Sequence, residues 1–130
     1  MSNANENLGS IGWIDLTVEN AEEMRDFYSK VIGWKAENVP MGNYFDFNMV
    51  NPESGDPKAG ICHKQGINKD FPSVWLVYFI VEDIMKSIEE VKSRGGKVII
   101  EPKNMGAQGA FAVIQDPAGA YCALFQQNQA

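Results

Sequence analysis

The sequence contains an internal repeat: its two halves carry the same pattern at a spacing of 63 residues. The apolar run at 11–20 is matched by the run at 74–83, so that Val18 corresponds to Val81. A helical pattern and then three short strand patterns follow each run, so each half predicts one module of strand, helix and three strands. A fold of two such modules places equivalent positions of both halves around one cavity.

Size and charge limit the class of protein. The 130 residues suffice for one domain with its own core, and 45% of them are apolar. No apolar run approaches the ~20 residues that span a membrane, and the polar segment 1–9 lacks a signal-peptide pattern. We therefore expect a disordered lead-in at 1–9 and a cytoplasmic protein without membrane contacts. The net charge of -6, without a cluster of basic residues, argues against nucleic acid as a partner.

The two cysteines are predicted to be structural. Cys62 and Cys122 both lie within apolar strand patterns, where a thiol behaves as a small apolar side chain. The alternative, a reactive pair, lacks the C-x-x-C spacing that is typical of redox motifs. We therefore expect both thiols to be buried.

The first helix is predicted over 21–32 by apolar residues at helical spacing. These residues are expected to form one stripe that packs on a sheet: Met24, Phe27, Tyr28 and Val31. Asn20, with Glu23 three residues later, is typical of a helix cap with a capping box. Gly33 is suited to end the helix.

The second half repeats this design with Asp83 as the helix cap and Gly95-Gly96 as the end. Its inward residues are predicted to be Ile84, Ile88 and Val91. Short apolar runs between Gly, Pro and Asn breaks predict further strands at 35–39, 44–50, 58–63, 97–101, 110–115 and 120–126. The segment Asp116-Pro117-Ala118-Gly119 predicts a tight turn, because proline presets φ and glycine accepts a positive φ.

A set of short motifs follows in a fixed order along the chain: Gly12-Trp13, Phe27-Tyr28, Ile32-Gly33-Trp34, Trp75, Tyr78-Phe79, Phe111-Ala112-Val113 and Asp116-Pro117-Ala118-Gly119-Ala120. In this order they resemble the vicinal oxygen chelate superfamily, which includes glyoxalase I, bleomycin-resistance proteins and extradiol dioxygenases. They look most like the bacterial group related to lactoylglutathione lyase. The resemblance covers about residues 11–126.

The resemblance implies an α+β fold, a single domain over 10–128 with two tandem βαβββ modules at about 10–65 and 72–128. The modules would form a cupped, partly open barrel-like sheet with the helices outside, in a homodimer. In metal-dependent members, His or Glu side chains at four equivalent strand positions hold a divalent ion. Here those positions carry residues without suitable donors: Trp13, Leu76, Ala123 and either Ala59 or Gly60. We therefore expect no metal and no cofactor.

Alternation along the strands predicts which residues face the cavity. In the first half, Leu16 and Val18 are expected to face the helices. The opposite alternation, extended to both halves, gives the predicted ligand pocket: Trp13, Asp15, Thr17, Tyr44, Leu76, Tyr78, Phe111, Tyr121 and Ala123. An aromatic pocket with few polar groups fits a flat or apolar small molecule.

Three residues are candidates for chemistry. Asp15 among aromatic residues would have a raised pKa and could act as a general base, or it could be hydrated at the rim. Tyr78 could donate a hydrogen bond to a ligand oxygen or to a backbone carbonyl. His63, the only histidine, ends a strand beside Lys64, where surface exposure is expected. No catalytic triad and no phosphate-binding loop can be assembled from the sequence.

Three functions remain open at this point. The first is a metal-independent glyoxalase-like domain that binds a small, partly apolar metabolite or toxin. The second is a lyase or isomerase related to lactoylglutathione lyase, with Asp15 as the base and Tyr78 as the donor. The third is a drug-sequestering protein of the bleomycin-resistance type, which needs affinity but no chemistry.

Overall fold

The computed structural model describes residues 7–128. This part of the chain forms β1 (Ile11–Val18), α1 (Ala21–Ile32), β2 (Lys35–Pro40), β3 (Phe45–Val50), β4 (Pro57–His63), β5 (Trp75–Ile80), α2 (Ile84–Ser93), β6 (Lys97–Asn104), β7 (Gly109–Gln115) and β8 (Tyr121–Gln127). The predicted α+β class with two βαβββ modules is confirmed. Neither α-helix of this part is long and apolar enough to cross a membrane.

The chain divides into two compact units. The first module runs from Trp13 to Trp75, and the second combines the chain from Leu76 onward with the described residues before Trp13. The strand order is β2-β3-β4-β1 in the first module and β5-β8-β7-β6 in the second. Of the predicted disordered lead-in, residues 1–6 lie outside the described residues. Gly9 donates its backbone N–H to the carbonyl of Ile80 over 2.8 Å.

One face of the first module's sheet packs against α1. β1 runs parallel to β4, and β4 runs antiparallel to β3, so that Leu16 and Phe47 both lie beside Ile61. Together with α1, these strands form an apolar core cluster: Ala21, Phe47, Met49 and Ile61. Because side chains alternate along a strand, the neighbours of Leu16 and Ile61 lie on the opposite face of the sheet.

The predicted packing of α1 is only partly correct. Met24 and Tyr28 pack on the core cluster, but Phe27 and Val31 are 53% and 63% exposed. Ala21, Met24 and Tyr28 are three and four residues apart and form one line along the helix, and Phe27 lies to one side of this line. The apolar pattern covers more of the helix surface than the sheet does.

The helix ends agree with the sequence except at one cap. Asp83 accepts hydrogen bonds from the backbone N–H groups of Met85 and Lys86, as predicted, and Gly33 ends α1 with a φ of 92°. Asn20 makes no side-chain capping bond within the described residues, so the predicted cap and capping box are wrong. Its φ of -102° and ψ of 55° lie outside the extended conformation that is typical of cap residues.

The second module has a core of its own between α2 and its sheet. The core cluster consists of Ile84, Ile88, Ala112, Ile114 and Leu124. Val91 packs against this cluster, so the predicted inward stripe of α2 is confirmed. The predicted tight turn between β7 and β8 is also present, since Gly119 has a φ of 93° and donates its N–H to the carbonyl of Asp116.

Candidate functional site

The candidate site lies on the face of the first module's sheet that is turned away from α1. The pairing of β1 with β4 puts Asp15 beside Gly60 and Thr17 beside Cys62. These residues alternate with Leu16 and Ile61, which belong to the α1 side, so they share the opposite face. We call this surface the Trp13 face and define it by five residues: Trp13, Asp15, Thr17, Gly60 and Cys62.

The indole of Trp13 lies against β4 at Gly60, where the strand has no side chain. A Cβ atom built on Gly60 would lie 3.4 Å from Nε1 of Trp13 and 3.2 Å from Cβ of Asp15. A longer side chain at Gly60 would therefore have to displace the indole. Trp13 is only partly buried, so part of its surface is accessible to a ligand.

The residues at the metal-ligand positions of the vicinal oxygen chelate superfamily do not fit a metal. In the first module these positions are Trp13 and Gly60, because Ala59 lies beside Met49 of the α1 core. An indole N–H is a donor only, and glycine has no side chain. In the second module they are Leu76 and Ala123, both apolar and buried. Across residues 7–128, no three His, Cys, Asp or Glu side chains could hold a metal ion together.

Two polar side chains of the Trp13 face are buried. Asp15 is 8% exposed and Thr17 is 1% exposed. Oγ1 of Thr17 has no hydrogen-bond partner among the residues that the structure describes. A buried hydroxyl without a partner costs about 1–3 kcal/mol of stability. The module therefore keeps a polar atom on this face that its own packing does not use.

His63 is buried, so the predicted surface position is wrong. Its Nδ1 lies 3.2 Å from Oδ1 of Asp46, and the same oxygen accepts the backbone N–H of His63 over 2.8 Å. The ring of Tyr44 stands edge-on to the imidazole, with 5.3 Å between the ring centroids. These contacts enclose His63, and they come from residues 17 and 19 positions earlier in the sequence. The charged neighbour Lys64 favours an exposed position, so the local sequence does not predict them.

Asp46 is the residue near this site that sequence reasoning did not identify. It is 4% exposed, contacts His63 and accepts a hydrogen bond from the thiol of Cys62. The available signal is its place between Phe45 and Phe47 in a strand pattern, where a charged residue is buried only if it has partners. An aspartate in an apolar strand thus indicates a buried partner.

Cys62 lies near two carboxylates. Burial raises the pKa of its thiol, and the negative charges of Asp15 and Asp46 raise that pKa further. Burial likewise raises the pKa of the Cys122 thiol in β8. Both cysteines are partly buried, so the predicted burial is only partly correct. Neither environment stabilises a thiolate, which is the nucleophilic form.

The predicted pocket residues of the second module lie on the sheet face turned away from α2. Tyr78 pairs with Ala123, and the next residue, Leu124, belongs to the α2 core. Alternation therefore turns Tyr78 and Ala123 away from that core. The same alternation along β5, β7 and β8 applies to the remaining predicted residues of this module: Leu76, Phe111 and Tyr121.

The other two tryptophans lie on the α1 side of the first module. The indole N–H of Trp75 donates to the hydroxyl of Tyr28 over 3.1 Å, and the ring of Trp34 lies 6.0 Å from that of Trp75. Both tryptophans pack against the α1 core cluster. Of the three tryptophans in the chain, Trp13 alone belongs to the Trp13 face, so its spectroscopic signal can report on a ligand there.

Comparison with known proteins agrees with the resemblance seen in the sequence. The family model of the Glyoxalase/Bleomycin resistance protein/Dioxygenase superfamily matches residues 10–124. The putative glyoxylase CFP32 of Mycobacterium tuberculosis is 27% identical over 93% of this chain and 47% of its own length. The anthracycline biosynthesis protein DnrV of Streptomyces peucetius is 30% identical over 92% of this chain and 48% of its own length. The chain thus spans about half the length of these curated relatives.

A solved structure supports the fold. Methylmalonyl-CoA epimerase from Mycobacterium tuberculosis is similar to this chain with a TM-score of 0.54 and 14% sequence identity. The likeness covers 97% of this chain and 93% of that protein. At this level of identity, the likeness shows the shared fold alone. The α+β architecture that the repeat predicted is therefore found in a second protein of different sequence.

We predict that iodoacetamide modifies Cys62 slowly at neutral pH, because a thiol with a raised pKa stays protonated where ordinary thiols ionise. In a Cys122→Ser background, the rate of alkylation at Cys62 should rise only at a pH above the ordinary thiol pKa of about 8.5. Asp15→Asn and Asp46→Asn each remove a negative charge and should move the rise to lower pH. Mass spectrometry of the alkylated peptide measures the rate. If the alkylation rate of Cys62 in the Cys122→Ser background levels off near pH 8.5, this would contradict the described surroundings of Cys62.

Proposed function

The chain belongs to the Glyoxalase/Bleomycin resistance protein/Dioxygenase superfamily, and we propose from this premise that it binds a small, flat, partly apolar organic molecule on the Trp13 face. The single observation that carries the proposal is the indole of Trp13 lying against Gly60. These two residues stand where metal-dependent members carry ligands, and they offer a ring surface in place of electron-pair donors. Binding therefore uses no metal at these positions.

An indole in this setting is suited to hold a flat ring. Aromatic pairs gain about 0.5–1.5 kcal/mol beyond the burial of their area. One side of the Trp13 ring is already in contact with β4, so little side-chain freedom remains to be lost when a ligand binds. Asp15 and Thr17 supply the few polar atoms that orient a ligand in an otherwise apolar site. The Trp13 face thus combines a ring surface with two polar anchors.

The names of the relatives support a small organic ligand. DnrV is named an anthracycline biosynthesis protein. CFP32 is named a putative glyoxylase. Because this chain spans about half of either relative, we take from these names only the ligand class. Whether the bound compound is a metabolite or a toxin depends on the cell, not on the site.

Sequestration of a drug is this same binding function without a chemical step. It would protect a sensitive host in proportion to the amount of protein, and the drug would be recovered unaltered. The Trp13 face favours it over catalysis in one respect, because Cys62 is held as a neutral thiol and offers no nucleophile.

A second candidate function is a lyase or isomerase related to lactoylglutathione lyase. The burial of Asp15 beside Trp13 favours it, since a carboxylate at the edge of a binding surface can act as a general base. Asp15→Asn keeps the size of the side chain and removes the base, so turnover in a lactoylglutathione lyase assay should disappear while the fold is kept. Turnover that survives in Asp15→Asn would exclude this function.

We also propose that the protein is a homodimer with the outer face of α1 at the contact. Phe27 and Val31 are 53% and 63% exposed and four residues apart on α1, so two large apolar side chains lie side by side on the surface of this helix. Light scattering should give twice the chain mass of 14.4 kDa. Val31→Glu should give the single-chain mass, whereas Lys30→Glu on the same turn should not. A monomeric parent protein would contradict the proposal.

We predict that 2-naphthalenemethanol, a neutral flat probe, binds the Trp13 face and shifts one of the three indole N–H signals in the NMR spectrum. The signal that is missing in Trp13→Phe identifies the one that should shift. Trp13→Ala should weaken binding about tenfold, because it removes the ring surface. Trp34→Phe changes a tryptophan on the α1 side and is the matched control, with unchanged affinity. Equal affinity in Trp13→Ala would refute the proposed site.

A further inference from the structure

Besides the indole N–H of Trp13 and the thiol of Cys62, the Trp13 face holds two oxygen-bearing side chains that can accept hydrogen bonds. Asp15 contributes a buried carboxylate and Thr17 a buried hydroxyl, while Asp46 lies close enough to act on the same thiol as Asp15. A carboxylate accepts hydrogen bonds and donates none, and a hydroxyl oxygen can accept two. A ligand group that hydrogen-bonds to the carboxylate must bring a donor, and a group with several donors can also serve the hydroxyl.

The two carboxylates have different surroundings. Asp46 is engaged by His63, through the ring nitrogen at 3.2 Å and the backbone N–H at 2.8 Å. Asp15 belongs to the Trp13 face, and its Cβ and Nε1 of Trp13 lie 3.2 Å and 3.4 Å from the point that a Cβ atom of Gly60 would take. Asp15 is thus the carboxylate that a molecule stacked on Trp13 would meet.

Thr17 gives a second and independent indication of a ligand. The residue is 1% exposed, and its Oγ1 has no hydrogen-bond partner in the part of the chain that the structure describes. Valine has the same shape and would leave no polar atom unsatisfied, so packing does not explain the hydroxyl. The alternation of β1 places Thr17 on the same face as Asp15.

We infer that the ligand of the Trp13 face carries a protonated amine, which is held between Asp15 and Thr17 while its flat apolar part stacks on Trp13. This inference rests on the proposed function and names the chemical class of its ligand. An ammonium group has three N–H donors, enough for both the carboxylate and the hydroxyl. An indole attracts a cation placed over its face, and the net charge of -6 favours the approach of a cation.

The test compares two probes that differ in one functional group. 2-Naphthylmethylamine carries a cation at pH 7, and 2-naphthalenemethanol is its neutral counterpart with the same ring. Isothermal titration calorimetry should show that the amine binds about tenfold more tightly than the alcohol, because it gains charge-assisted hydrogen bonds. The alcohol measures the proposed function alone, and the ratio of the two affinities measures the inference.

Three variants locate the source of that ratio. Asp15→Asn should remove the advantage of the amine, so that the amine and the alcohol bind this variant with similar affinities. Glu53→Gln removes an exposed carboxylate of the same module and should keep the full ratio. Thr17→Val should weaken amine binding about threefold and yet raise the urea concentration at which the protein unfolds, since it removes a buried unpaired atom. A purely structural threonine would not give these opposite effects.

The outcomes distinguish the proposed function from the inference about the amine. Failure of both probes to bind overturns the proposed function and the inference with it. Equal affinities, or an advantage of the amine that survives in Asp15→Asn, overturn the inference and leave the proposed function standing. If Glu53→Gln lowers the advantage of the amine as much as Asp15→Asn does, the effect comes from net charge in general, and the inference is overturned. If Asp15→Asn does not fold, Thr17→Val decides, and unchanged amine binding in that variant overturns the inference.

Discussion

The missing side chain at Gly60 is the constraint on which the Trp13 face depends. The indole of Trp13 and the Cβ of Asp15 both approach the point where a Cβ atom of residue 60 would stand. A metal-binding carboxylate at this position would need the space that the indole fills. The ring surface and the ligand set of metal-dependent relatives therefore exclude each other in this module. One pair of residues, Trp13 and Gly60, explains both why the donor set does not fit a metal and why a flat molecule fits.

The polar groups near this surface differ in how much their burial lowers the stability of the module. Asp46 is satisfied by His63 and the thiol of Cys62, so its burial is compensated. Thr17 is not compensated among the described residues, and it lowers stability wherever no ligand reaches it. The α1 side of the same sheet has a tightly packed core and an aromatic hydrogen bond between Trp75 and Tyr28. One face thus stabilises the module, while the other holds a buried hydroxyl without a partner among the described residues.

The sequence predicts what depends on periodicity. The repeat gives the two modules, helical spacing gives the bounds of α1, and alternation puts Asp15 and Thr17 on one face of the sheet. It fails where a contact between distant strands decides the outcome. His63 is buried through Asp46, and only the antiparallel pairing of β3 with β4 brings these two residues together. Phe27 is exposed although it belongs to the apolar pattern of α1, because helical spacing does not show how much of the helix surface a sheet will cover.

The most direct test of the account is native mass spectrometry of freshly purified, tag-free protein, combined with elemental analysis of the same sample. The account predicts that the chain carries a small organic compound and no stoichiometric divalent metal, and that the compound is lost from Trp13→Ala. A stoichiometric divalent metal, retained in Trp13→Ala, would contradict it. In that case residues other than Trp13, Gly60, Leu76 and Ala123 would bind the metal.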